Sequence, residues 1–212
     1  MQQRGAGARL RVAAWVMVPL GLALLLGGIV FYFMTHRGVT VAGASMEPTL
    51  RMGQPAVVQD IDAEDIRRGD VLLLQVPGRY QGAPVIQRVI GKGGDHVVSD
   101  GERVTVNGEP LTEPYVNPER PPVALKPYDV RVPEGRLFLL GDNRGNANDS
   151  RYFLDEQSGS VATAGVRGRV NEGLPPTLVT TTALGAAFIL GGAGVGFAAW
   201  RRGRRAAQPA VV

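Results

Sequence analysis

The chain has 212 residues, 44% of them apolar and 20% charged, with a formal net charge of +4. The absence of cysteine excludes a disulfide scaffold, cysteine-ligated zinc, iron–sulfur clusters and thiol catalysis. The positive charge is no sign of a nucleic-acid partner. Seven of the 23 basic residues sit in the end pieces (Arg4, Arg9, Arg11, Arg201, Arg202, Arg204 and Arg205) without an acidic neighbour, and the stretch between holds 16 basic against 19 acidic side chains.

In chain order, residues 1–11 form a basic tail. Val12–Thr35 follows as 24 residues without a charge, roughly 36 Å as a helix against a hydrocarbon core of roughly 30 Å. Residues 12–35 are therefore expected to be a first transmembrane helix. A cleavable signal peptide ending at Ala42-Gly43-Ala44 is the competing reading. The apolar run exceeds the roughly 7–15 residues of such peptides, and the Ala-x-Ala lies far downstream of it, so the anchor is preferred.

From residue 36 to residue 176 helical periodicity gives way to short runs rich in β-branched residues, bounded by turn signals. Strands are expected at Pro55–Gln59, Asp70–Val76, Val85–Ile90, His96–Ser99, Arg103–Val106 and Arg136–Leu140. Asp100-Gly101 and Asn107-Gly108 are hairpin-type turn dipeptides, and Val104–Leu111 reads as the clearest hairpin. The proline-rich stretch Pro110–Pro133 reads as an extended loop. Nothing repeats at a fixed period. The expectation is a mainly β extracytoplasmic domain, barrel-like or a folded sheet, held against the outer leaflet.

Leu178–Trp200 is a second uncharged run, 23 residues long, with a Gly192…Gly196 spacing that lets membrane helices approach closely. A Gly-rich helix merely touching the membrane is the blander reading. The length and the arginines beyond it favour a second transmembrane helix over residues 177–200, with residues 201–212 as a second basic tail. Basic flanks outside both runs predict a two-pass cell-membrane protein with both termini cytoplasmic.

Between the spans lie four motifs. Val41-Ala-Gly43-Ala-Ser45-Met46-Glu-Pro48-Thr49-Leu50 comes first, where a serine beside proline and glycine is ordinarily only turn chemistry. Arg68-Gly69-Asp70-Val71 opens a strand, and Arg88-Val-Ile-Gly91-Lys-Gly-Gly94-Asp95 ends another. Gly141-Asp142-Asn143-Arg144 leads to Asp149-Ser150-Arg151. In this order, behind an N-terminal anchor, they resemble the boxes of bacterial type I signal peptidases, membrane-anchored serine endopeptidases that remove signal peptides from exported pre-proteins. Arg68-Gly69-Asp70 also reads as an adhesion tripeptide, which the family box accounts for better. The resemblance runs to about Arg169. It implies a signal-peptidase-type β fold, no cofactor and no metal, with signal peptides and membrane lipids as partners.

It also implies roles. Ser45 would be the nucleophile and its backbone N–H an oxyanion donor, with Gly43 at the place of a second donor. Asp149 and Arg151 would brace the site as an ion pair, and Asp142 with Arg144 would shape its loop. Val85 and Ile86 would lie beside a substrate held as an added strand, and Met46, Pro48 and Leu50 near the bilayer.

The resemblance fails at its most important residue, and two further departures accompany it. A serine hydroxyl needs a base to take its proton, and the family uses a lysine kept neutral by burial, directly before the arginine of the Arg-Val-Ile-Gly box. Gln87 stands there. A serine that family members place beside that lysine is Ala147 here, and an aspartate after the box arginine is Gly145. The chain has two lysines and two histidines in all. Lys92 lies five residues beyond Gln87, an odd offset that points to the opposite strand face, although flanking glycines allow a turn to re-aim it. His96 opens the next strand with a ring suited to proton transfer, and otherwise reads as an exposed strand residue. His36 belongs to the membrane boundary and Lys126 to the proline-rich loop. The expected function is signal-peptide removal by a serine endopeptidase. The alternative is a catalytically impaired homologue that binds signal peptides or membrane proteins, and a secreted protein released after Ala44 ranks last. Gln87→Lys alone is expected to fall short of restoring a base, for want of a partner at residue 147.

Overall fold

The computed structural model describes residues 2–116, 127–171, 173 and 175–206. Residues 117–126, which carry part of the expected proline-rich loop and Lys126, and residues 207–212 of the C-terminal tail lie outside the described residues. The chain divides into two compact units, Met1–Thr35 with Leu174–Val212, and His36–Gly173.

The first unit is a pair of helices, α1 (Gln2–Thr35) and α2 (Pro176–Ala206). Their apolar stretches, Ala8–Thr35 and Pro176–Arg204, have mean hydropathies of 2.3 and 1.7, and only 6% and 11% of the most apolar windows are buried. A core helix of a soluble protein would be covered; here Trp15, Phe33, Met34 and Leu190 face outward. These two helices are long and apolar enough to cross a membrane. Small residues set their contact. A Cβ at Gly21 would come within 2.7 Å of the Gly185 carbonyl, one at Gly28 within 2.7 Å of Thr181 Oγ1, and one at Gly192 within 2.8 Å of Val18. Rising numbers on α1 meet falling numbers on α2, so the pair is antiparallel, with Arg11 beside Gly203 at one end.

Among the described residues the second unit has eleven short strands: β1 (His36–Thr40), β2 (Pro55–Gln59), β3 (Val71–Leu74), β4 (Val85–Lys92), β5 (His96–Ser99), β6 (Val104–Val106), β7 (Glu109–Pro110), β8 (Tyr128–Arg131), β9 (Arg136–Leu140), β10 (Val161–Ala162) and β11 (Val166–Asn171). A seven-stranded sheet runs β1-β2-β11-β3-β4-β9-β10 and a four-stranded one β7-β6-β5-β8. The strand pairs are antiparallel. This is a β-rich fold, as the runs of β-branched residues predict. β8 falls within the stretch expected to be a loop, and its Tyr-Asp-Val-Arg alternation is matched by alternating burial.

The uninterrupted Leu137-Phe-Leu-Leu140 of β9 is explained by burial on both faces. Leu137 and Leu139 join Leu72, Leu74 and Val89 in one cluster. Phe138 and Leu140 join Val97, Val106 and Val130 in another, drawn from both sheets. Each such side chain contributes about 1.5–3 kcal/mol by leaving water. A third cluster gathers Val41, Met46, Leu50, Val58 and Val170. Met46 and Leu50, expected near the bilayer, are thus core residues that pin the Ser45 turn from its C-terminal side, as Val41 does from the other. β11 lies between β2 and β3, and its register against β3 shifts between Val166 and Gly168; the φ of Gly168 is +146° and its Cβ would lie 2.5 Å from the Gln59 carbonyl. Only glycine fits that bulge.

Candidate active site

Ser45 lies in the connection between β1 and β2. The arch is closed by Val41 N–H donating to the Gln54 carbonyl (3.0 Å), Gly53 N–H to the Val41 carbonyl (2.8 Å) and Leu50 N–H to the Met46 carbonyl (3.0 Å). With Met46 and Leu50 buried beneath it, the turn lifts Gly43 into solvent and leaves Ser45 half-buried. No described residue hydrogen-bonds the Ser45 hydroxyl. A Cβ at Gly43 would meet nothing within 4 Å, so that position has open space above it.

The Gly141–Arg151 loop holds this turn from the other side. Asn143 donates from its backbone N–H to the Ser45 carbonyl and from Nδ2 to the Ala44 carbonyl, both at 3.0 Å. Gly141 is wedged between the two parts, since a Cβ there would sit 2.3 Å from the Ala147 Cβ and 2.7 Å from the Ser45 carbonyl oxygen.

Three arginine–carboxylate pairs fix the loop. Asp142, 1% exposed, accepts Arg88 Nε at 2.8 Å and Nη2 at 2.6 Å, and Thr49 Oγ1 at 2.5 Å. Arg88 Nη1 also donates to the Gly69 carbonyl at 2.8 Å, and its guanidinium lies 4.0 Å from the Tyr115 ring centroid. One fork thus ties together residues from all four motifs, a planar bidentate arrangement that only arginine supplies. Asp149 accepts Arg151 Nε at 2.6 Å and Nη2 at 2.7 Å, and takes the Gly141 N–H at 3.0 Å. Arg144 pairs with Glu113 rather than with Asp142, and donates from Nε to the Gly141 carbonyl at 3.1 Å.

Gln87 lies on β4 and is 2% exposed. Its Nε2 donates to the Asn148 carbonyl at 2.7 Å and to the Tyr80 hydroxyl at 3.3 Å, while Oε1 is buried without a partner among the described residues. The same loop therefore carries both the Ser45 turn, through Asn143, and the side chain at position 87, through Asn148. Ala147, buried between them, offers only a methyl group. An amide takes no proton near neutral pH, and Tyr80 is no better an acceptor: burial above all raises its pKa, opposed by the Gln87 hydrogen bond, and the phenol stays protonated.

The remaining titratable candidates lie elsewhere. Lys92 is exposed at the far end of β4, five residues and about 16 Å of strand from Gln87. His96 belongs to the four-stranded sheet, its Nε2 2.6 Å from Asp129 Oδ1. Among the described residues no group of three or more His, Cys, Asp or Glu is placed to hold a metal ion.

β4 also has an open edge. Val85, Ile86 and Gln87 pair with Leu74, Leu73 and Leu72 of β3 on one side. β9 joins the other side only from Arg88 onward. Beside Val85–Gln87 the second edge has no partner strand among the described residues. The sequence alone gives no role to Tyr80, Glu113, Asn143 or Asn148. Asn143 sits inside a recognised motif, but nothing local marks the other three.

The family model for signal peptidase, peptidase S26, matches residues 11–173. The chain belongs to that family. Among its relatives is the probable signal peptidase I-1 of a Synechocystis species, 37% identical over 153 residues that make up 68% of this chain and 74% of that protein. Signal peptidase I of Bacillus licheniformis is 31% identical over 148 residues, 66% of this chain and 76% of that protein. A crystal structure of a signal peptidase I from Enterococcus faecalis V583 covers 53% of this chain at 29% identity, with a TM-score of 0.42.

Proposed function

We propose that this signal peptidase family member removes N-terminal signal peptides from exported pre-proteins, with Ser45 as the nucleophile. The observation that carries the reading is the shared loop: the Gly141–Arg151 segment grips the Ser45 turn through Asn143 and position 87 through Asn148. The substrate chain adds as a strand along the open edge at Val85–Gln87, where its backbone hydrogen bonds replace those with water. Ser45 Oγ attacks the scissile carbonyl, and the oxyanion takes the Ser45 backbone N–H; the open space over Gly43 leaves room for it. The C–N bond then breaks, and the mature protein leaves as an amine that must receive the serine's proton. Water hydrolyses the resulting ester.

The proton is the difficulty. Gln87 cannot carry it, and losing the base costs a serine protease about a millionfold in turnover. A second reading rests on that buried amide and on Ala147: the site holds the signal-peptide segment and cuts it slowly or not at all. The helices also bear on topology. The basic ends of the antiparallel pair lie together, which supports both termini in the cytoplasm by the positive-inside rule and the β domain on the far side. The acidic surplus between the spans argues against nucleic acid, and lipid contact belongs to the exposed helix faces.

The test uses the full-length chain in detergent with a pre-protein whose signal peptide ends in Ala-x-Ala. Wild type, Ser45→Ala and Gln87→Lys with Ala147→Ser are compared for cleavage and for retention of the peptide. The proposal expects cleavage that Ser45→Ala abolishes and the double variant accelerates. Equal cleavage by wild type and Ser45→Ala would sink the assignment of the nucleophile. Retention without cleavage in the wild type would establish the second reading.

A further inference from the structure

The partner that relatives supply at position 147 is missing, yet the side chain at position 87 is not loose. Its two N–H groups are taken by acceptors from different elements, the Asn148 carbonyl in the loop and the Tyr80 hydroxyl in the β3–β4 connection.

Tyr80 is held with unusual firmness. It and Gln81 are consecutive non-glycine residues in the left-handed region, at φ 54° and 55°, a conformation that persists only where surrounding contacts enforce it. Those contacts are present. The Tyr80 ring meets Phe153 edge-on at 5.9 Å, and the Arg79 guanidinium lies 4.1 Å over the Phe153 ring. Buried Arg79 donates to the Gly159 carbonyl at 3.1 Å and to Glu156 Oε2 at 3.3 Å. Gly82 and Ala83 close the turn by donating to the Arg79 and Tyr80 carbonyls, both at 3.0 Å.

Resting on the reading of the site as that of a signal peptidase, we infer that the Tyr80 hydroxyl, together with the Asn148 carbonyl, is the positioning group for the side chain at position 87. It takes the part of the hydroxyl absent at Ala147. A lysine placed at 87 would find both oxygens waiting, and a substitution at 147 becomes unnecessary.

Two measurements on the full-length protein in micelles test this. In protein labelled with ¹⁵N-glutamine and ¹⁵N-leucine, the Gln87 side-chain signals are identified by their loss in Gln87→Met. Tyr80→Phe keeps the ring on Phe153 and removes one acceptor. One Gln87 Nε2 proton should then exchange with water about threefold to tenfold faster, the size of one net hydrogen bond, while the Leu139 amide is unchanged. Unaltered shifts and exchange overturn the inference.

The second measurement is the pH–rate profile of pre-protein cleavage. Gln87→Lys should cleave without Ala147→Ser. Adding Tyr80→Phe should lower its rate about tenfold and displace the profile, and Ala147→Ser should rescue that loss. A Gln87→Lys protein that stays silent until Ala147→Ser is added assigns the orientation to residue 147 and overturns the inference. If no lysine-bearing variant cleaves, the signal-peptidase reading fails, and the exchange measurement still decides what positions Gln87.

Discussion

Gly141→Ala is the sharpest probe of the loop. The added methyl would sit 2.3 Å from the Ala147 Cβ and 2.7 Å from the Ser45 carbonyl oxygen, where relaxed contacts need about 3.5–4.0 Å. Neither neighbour is the end of a flexible side chain, so the main chain must open by more than an ångström. Overpacking of this kind costs about 1–3 kcal/mol. The opening pulls on the two Asn143 hydrogen bonds to the Ser45 turn, and losing one adds about 1 kcal/mol. The expected destabilisation of the β domain is therefore about 2–4 kcal/mol, read by pulse proteolysis in urea. Adding Ala147→Gly removes the shorter contact and leaves the one with Ser45, so about half the loss should return. A Gly141→Ala protein within about 0.5 kcal/mol of wild type would refute the wedge, and full recovery in the double variant would show that Ser45 is not pressed against it.

Asp142→Ala strands the buried Arg88 guanidinium without its carboxylate and should cost about 3–5 kcal/mol in the same assay; a loss below about 1 kcal/mol would show that Gly69 and Thr49 suffice to hold it. Burial pushes the Tyr128 phenol up to about 12, Arg144 and Arg151 pulling it back only in part, and its hydroxyl has no partner among the described residues. The folded state therefore favours the protonated phenol, so this contribution is intact below pH 10 and lost as the pH rises from about 10 towards 12. Tyr128→Phe should leave stability at pH 7 unchanged or slightly raised, and flatten its fall in that alkaline window, as followed by circular dichroism; marked destabilisation at pH 7 would reveal a hydrogen bond to the hydroxyl. Because the chain lacks cysteine, single cysteines introduced at Gln3, Glu109 and Arg204 map topology cleanly with a membrane-impermeant maleimide on intact cells. Labelling at position 109 alone is expected, and labelling at 3 or 204 would reverse the proposed orientation.

What the sequence made legible follows a physical divide. Pro55–Gln59, His96–Ser99 and Arg136–Leu140 are strands with the expected bounds, because each is apolar, β-branched or both, and ends at a turn residue. His36-Arg-Gly-Val-Thr40 shows no alternation because it is an edge strand with little to bury. The strand at Val166–Asn171 is interrupted by the bulge at Gly168. Among the site residues, those inside motifs were visible as types, but their partners were not. Asp142 pairs with Arg88, 54 positions away, and Arg144 with Glu113, 31 away. Tyr80 carries no local mark, since its connection to Gln87 exists only after β3 and β4 pair.

The arginine forks have a further consequence. Each is complete without residue 87: Arg88 with Asp142, Arg151 with Asp149 and Arg144 with Glu113. A guanidinium keeps its charge at any physiological pH, so the frame does not change when the chemistry at its centre does. Position 87 is in this sense a socket, lined by a main-chain carbonyl and a phenol that accept an amide or an ammonium alike. A lineage that exchanged one for the other would lose speed without losing shape, and one substitution in the reverse direction would meet a frame already in place.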